Sequence, residues 1–264
     1  MNARRVDIIS IAVSLLTLAG MATGTVSAQS ERVSIPAGSY HSLFPEVAGE
    51  KNRVEPFLMD AMPVDNASYQ EFVTDRREWS KDQVSPLFTT SGYLKHWSGN
   101  KPADGEEKQP VRNISWYAAS SYCEWAGGRL PDLDEWEYAA ERLDIQSRES
   151  WDRFGSDVLG WLTSVDPNRM PDTGESGVVT IDGVHDMHKL ILEWVNDFRP
   201  PLADGLSFDC GTAGRLQGEG SEYRYASVVR TITRMSFEPE TTTGTLGFRC
   251  AYDVKNVGGG NSHD

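Results

Sequence analysis

Sustained periodicity is scarce in this chain of 264 residues, which restricts it to folds assembled from short elements and many connections. Residues 79–110 are rich in Ser, Gly, Asn, Lys and Pro and read as a long loop or insertion carrying Trp97. After Leu143 regularity dissolves again, relieved by strand-like runs at 191–195, 226–232 and 247–251. Such a chain cannot bury its core by stacking long layers. Its eight tryptophans must supply much of the buried surface through aromatic packing. The expected class is α+β: one loop-rich domain with few short helices and strands. Self-similarity at a fixed period is missing, which excludes repeat arrays.

The regular segments are nonetheless well marked. Residues 33–38 and 55–64 look like strands. Asp65 and Asn66 offer a cap to a short amphipathic helix whose Tyr69, Phe72 and Val73 share a face. Ala119, Tyr122, Cys123 and Ala126 recur at helical spacing before Gly127 and Gly128 stop the run, so Cys123 faces the core. Asp132 and Glu135 then form the two halves of a capping box, leaving Trp136, Ala139 and Ala140 to pack.

The chain is built for export. Arg4 and Arg5 precede an apolar run from Ile8 to Leu16, and Val26, Ser27 and Ala28 present small residues for cleavage before Gln29. Residues 1–28 therefore read as a signal peptide; Ser, Thr and Gly interrupt the apolar run, which is too short for a bilayer span of about 20 residues. The remainder suits one large domain, 29–254, followed by a Gly-rich polar tail, 255–264, expected to be disordered. Losing Arg4, Arg5 and Asp7 takes the formal charge from −14 to −15, which disfavours nucleic acid and anionic membrane surfaces as partners. The location is periplasmic or secreted.

Three cysteines remain: Cys123, Cys210 and Cys250. An odd number allows at most one internal disulfide, and three pairings are open. Cys210 is either a buried small hydrophobe or a thiol that meets a partner. His185, Met187 and His188 are borderline and soft donors that could hold copper; the alternative is one packed histidine and one that is solvent-exposed or satisfies a backbone carbonyl. Asp166, Asn168 and Asp172 could hold calcium or simply make turns around Pro167 and Pro171. Arg129, Arg230, Arg234 and Arg249 stand out in an acidic chain as organisers of buried carboxylates.

The segment 110–116, Tyr122 to Pro131 and Glu135 to Ala140 closely resemble the formylglycine-generating enzyme, or sulfatase-modifying factor, family. Met62 to Asn66 with Tyr69, Phe72 and Val73, then Asp186-Met187 with Glu193 to Val195, then Gly247 to Ala251 follow in the family's order. The resemblance implies a compact, loop-rich α+β fold distantly akin to C-type lectins. It also implies a disulfide between Cys123 and Cys250, which an oxidising compartment permits. Cys210 is then the free thiol.

The family's activity oxidises a substrate cysteine to formylglycine, using two copper-binding cysteines five apart. Counted back from Cys250 without gaps, with Arg234 and Gly247 in register, those positions hold Ser221 and Ala226. A hydroxyl and a methyl cannot replace two thiolates. The family's calcium motif is also altered, since Lys189 and Leu190 stand where an asparagine and a glycine are expected. The departures resemble an exported branch of nitrite reductase accessory, NirV-like, proteins. The implied role is a non-catalytic accessory or maturation factor for a periplasmic metalloenzyme such as nitrite reductase. The alternative is a divergent oxidase acting on protein cysteine. A ligand groove near Trp97, Trp116 and Arg230 suits the lectin-like kinship.

Overall fold

A computed structural model describes residues 31–42, 51–198 and 222–254. The expected signal peptide, Cys210, Ser221 and residues 255–264 lie outside the described residues.

The sheet that organises the fold has the order β1–β4–β7, all antiparallel. Its strands are β1 (Arg32–Ile35), β4 (Phe57–Asp60) and β7 (Ala251–Asp253), with Arg32 opposite Asp60 and Met59 opposite Ala251. Between β1 and β4, β2 (Gly38–Tyr40) pairs antiparallel with β3 (Asn52–Val54). A parallel pair, β5 (Leu192–Glu193) and β6 (Leu246–Gly247), lies apart from them. It needs glycine at 247, where a Cβ would come within 2.5 Å of the Val111 carbonyl oxygen. Strand-like runs at 55–64, 191–195 and 247–251 therefore become two to four paired residues each, because the chain bends away once a few ladder bonds are made.

The helices start where short polar side chains cap them. In α1 (Asn66–Asp75) Asp65 accepts from the Ser68 N–H at 2.8 Å, and in α2 (Trp116–Trp125) Ser115 accepts from Ala118. Gly127, at φ +81°, ends the second. The capping box of α3 (Leu133–Glu141) is present, with Asp132 N–H donating to Glu135 at 2.9 Å.

Two further helices were hidden in the sequence. α4 (Arg148–Ser164) is capped by Ser147 and carries Trp151, Phe154 and Val158 on one side. α5 (Glu222–Met235) occupies the run expected as a strand at 226–232. Its β-branched Val228, Val229, Thr231 and Ile232 favour strands by local preference. Yet its buried residues, Tyr223, Ala226, Ser227, Arg230, Thr231 and Arg234 with Val228 at their edge, follow a helical spacing that a strand cannot put on one face. The two helices cross at Gly155, where a Cβ would sit 2.1 Å from the Tyr223 nitrogen.

One apolar cluster joins α1, α2, β5 and β6 around Tyr69, Phe72, Tyr122, Trp194 and Phe248. A second joins the strands to α3 around Phe57, Met59, Trp136 and Val195. Cys123 of α2 and Cys250, just before β7, form a disulfide and are both fully buried. It ties the first core helix to the sheet.

Candidate functional site

The interior carries a set of charges centred on Trp136. Helix α3 points this indole inward, and its Nε1–H donates to Glu193 Oε2 at 2.8 Å. Arg249 grips the same carboxylate through Nε and Nη2, each at 2.7 Å, and donates to the carbonyls of Asp60, Ala61 and His185. One residue along α3, Glu137 receives Arg230 of α5 through Nη2 at 2.5 Å and Nε at 3.3 Å. Glu137, Glu193, Arg230 and Arg249 are each at most 2% exposed. Such pairs hold because each charge is matched and bonded; separated, each would be an uncompensated buried ion.

Arg234 differs. It is fully buried one turn beyond Arg230, with both guanidiniums over the Trp136 ring at 4.6 Å and 5.2 Å. Among the described residues none of its Nε, Nη1 or Nη2 has a hydrogen-bond partner. Burial pulls its pKa down to about 10, against the opposing attraction of Glu137. Arg129, nearer the surface, bridges Glu135 and Asp253. Three of the four arginines thus organise carboxylates as expected, and Arg234 packs on an indole without one.

The groove expected at Trp97, Trp116 and Arg230 is not an open one. Trp97 is 3% exposed, with its Nε1–H on Asn66 Oδ1, and Arg230 is 2% exposed against Glu137. Trp116, half-buried, donates to the Val195 carbonyl and packs on Phe198. The aromatic core takes Trp97 and the ion pair with Glu137 takes Arg230.

The soft-donor set is likewise committed elsewhere. His188 is 1% exposed; its Nε2–H donates to the Ala140 carbonyl at 2.7 Å, and its Nδ1 faces Arg230 Nη1 at 3.4 Å. Burial first and Arg230 second push its pKa down to about 3, so it stays a neutral, fully engaged imidazole. Met187 packs in the second apolar cluster. The main chain of His185 donates to Ala61 and accepts from Arg249, while its buried Nδ1 has no partner among the described residues. Among the described residues no group of three or more His, Cys, Asp or Glu could hold a metal ion.

The donors for copper and calcium do not fit either. Ala226 is fully buried, and Leu190 is 3% exposed in an apolar cluster with Met170 and Ile191. Asp166 accepts from the backbone and side chain of Asn168, an ordinary turn. Around Ala226 the first turns of α5 are covered by α4. Tyr223 lies 4.6 Å from the Trp151 ring, 6.0 Å from Phe154 and 5.6 Å from His188. The place is filled by aromatic side chains.

Reading the sequence missed the acidic halves of the network, Glu137 and Glu193, and the buried Asp60. Asp60 accepts from the Cys250 N–H at 3.0 Å and the Tyr252 hydroxyl at 3.1 Å, and burial raises its pKa to about 6. A signal for Glu137 was present: an acid between Trp136 and Tyr138 on the inner side of a capped helix.

The family model described as Sulfatase-modifying factor enzyme 1-like domain matches residues 19–254. An "Inactive C-alpha-formylglycine-generating enzyme 2" from Mus musculus is 28% identical over 235 residues, covering 75% of each chain. A "Formylglycine-generating enzyme" from Streptomyces coelicolor is 28% identical over 255 residues, covering 78% of this chain and 81% of that one. Among solved structures, CarF aligns over 85% of this chain and 98% of its own at 17% identity, with a TM-score of 0.44.

Proposed function

The chain belongs to the sulfatase-modifying factor enzyme 1-like domain family, and from that premise we propose that it is a non-catalytic member. On this reading it is an exported, NirV-like accessory or maturation factor for a periplasmic metalloenzyme such as nitrite reductase. Export rests on the leader at 1–28. One relative is called inactive and another an enzyme at the same identity, so kinship leaves the choice to this chain's own residues.

The observation that carries the reading is Ala226. In the gapless register from Cys250, that residue and Ser221 stand where the family keeps its copper thiolates. Ala226 is fully buried under α4, and the chain has no cysteine between Cys210 and Cys250. A methyl group offers neither a metal ligand nor a reducing equivalent. The charged interior beside it is closed upon itself, as befits a scaffold that presents a surface and performs no redox step. Among the described residues no helix is long and apolar enough to cross a membrane.

The test is direct. Purified mature protein is incubated with copper, oxygen and a cysteine-containing sulfatase-type peptide, and the peptide is weighed by mass spectrometry. No formylglycine above the metal-only blank is expected. Product in excess of that blank overturns the reading in favour of a divergent oxidase.

A further inference from the structure

Helix α4 ends at Ser164, and the chain comes back past its last turns at Lys189 and Leu190, leaving a cavity of about 370 Å³ between the two passages. Its size falls within the range of small-molecule sites, about 300–1,000 Å³. Trp161, Val165, Met170, Pro171 and Leu190 give it a predominantly apolar lining. The polar groups around it leave no net charge. Arg169 shares the lining with Asp166, and Lys189 lies 4.0 Å from Asp157, so two cations meet two anions. The Ser176 hydroxyl oxygen is buried behind the wall and gives a ligand nothing to bond.

The space is a seam between two apolar clusters. Trp161 packs against the large cluster that holds Tyr69 and Trp194, whereas Met170 and Leu190 belong to a small separate one with Ile191. Side chains that face a gap lose dispersion partners on that side, so the seam would close if the backbone let it. Three anchors prevent this. Pro167 is pressed against Gly244, where a Cβ would come within 2.7 Å of it, and the Thr173 N–H donates to the Lys108 carbonyl at 2.9 Å. The buried Asp186 carboxylate accepts from the N–H groups of Gly174 and Ser176. On the opposite wall Leu190 is held at φ +87°, a conformation a branched side chain adopts only when its surroundings impose it.

We propose that this cavity binds a small uncharged aromatic molecule of one or two rings. The lining favours a ring over an aliphatic chain, because Trp161 offers an aromatic surface and Met170 a thioether, and both gain from contact with a π-system. With charges balanced at the rim, the driving force is the removal of apolar surface from water. Space is sufficient, since an apolar cavity of about 150 Å³ already holds benzene. The site is independent of the accessory role and stands or falls separately from it.

The probe is indole, titrated into the mature protein and followed through the methyl resonances of Met170 and Leu190. Saturable shifts of both are expected, with an affinity that changes by less than about twofold between roughly 0.05 and 0.5 M NaCl. Indole-3-acetate, the same ring carrying a carboxylate, should bind no more tightly than indole. Ser164 is exposed and lines the cavity, so Ser164→Trp should fill it at little cost to the fold. In that variant the affinity for indole should fall at least about tenfold, while the thermal midpoint, measured alongside, is retained. Absent saturation, shifts that bypass Met170 and Leu190, tighter binding of the anion, or unchanged affinity in Ser164→Trp each overturns the proposal.

Discussion

Reducing the bond between Cys123 and Cys250 adds two electrons and two protons and leaves every other atom of the chain in place, which makes the energetic role of the cross-link measurable. The two cysteines are 127 apart in sequence. For a closed loop of that size the chain-entropy account gives about 5 kcal/mol of stabilisation, acting on the unfolded state. Because both residues are fully buried, reduction also leaves two thiols in the space of one bond, an overpacking that adds to the loss. Replacing both by alanine relieves that crowding but deletes two sulfurs from a dense cluster, at about 1 kcal/mol each. The two perturbations should therefore agree to within about 2 kcal/mol. For a domain of this size, 5 kcal/mol corresponds to a fall of roughly 10–20 °C in thermal midpoint. The assay is urea unfolding followed by tryptophan fluorescence, in a Cys210→Ser background that prevents exchange. Oxidised, reduced and double-alanine proteins are compared. If oxidised and reduced forms differ by less than about 1 kcal/mol, the cross-link does not restrain the unfolded chain. If only the alanine protein falls, packing of the sulfurs explains the effect.

The arginines should respond in opposite ways. Arg249→Met leaves Glu193 charged and fully buried, so urea unfolding should show a loss of about 3–5 kcal/mol; Arg234→Met removes a guanidinium with no hydrogen-bond partner and should be neutral or stabilising. Equal losses would show that Arg234 is satisfied in solution. The Asp60 carboxyl, raised by burial to about 6 from 3.8, binds its proton more tightly in the folded state. Its contribution is complete below about pH 3.8 and is lost as the pH climbs through 6. Asp60→Asn should remove that part of the pH dependence, so the stability curves of parent and variant diverge between pH 4 and 7; parallel curves refute the assignment.

Capping and stopping residues were readable because they act within a few positions: Asp132 with Glu135, Asp65 with Ser68, Gly127 after α2. Helix α5 was not, since the strand preference of Val228, Val229 and Ile232 is local while the demand for a helix comes from Trp136 and Glu137 some 90 residues away. Helix α4 was concealed by Gly155 and Gly160, which look like breaks; Gly155 is there so that α5 can approach. The same distance problem applies to the charges. Arg230 was legible as a partner for a carboxylate, but nothing near it in sequence names Glu137. The burial of two residues from the expected groove has the complementary reason. Aromatic residues in a chain poor in long elements are needed inside, and Trp97 was spent there.

The central strand β4 sits between the beginning and the end of the described chain, with β1 on one side and β7 on the other. A strand made early therefore waits for a neighbour synthesised almost 200 residues later. Until Ala251 arrives β4 keeps an open edge, and until Cys250 arrives α2 has no covalent anchor. Under the export proposed above, the sheet would close only once its last strand had crossed, because this pairing is long-range. The order of the sheet is thus also a timetable, with completion reserved for the final residues delivered.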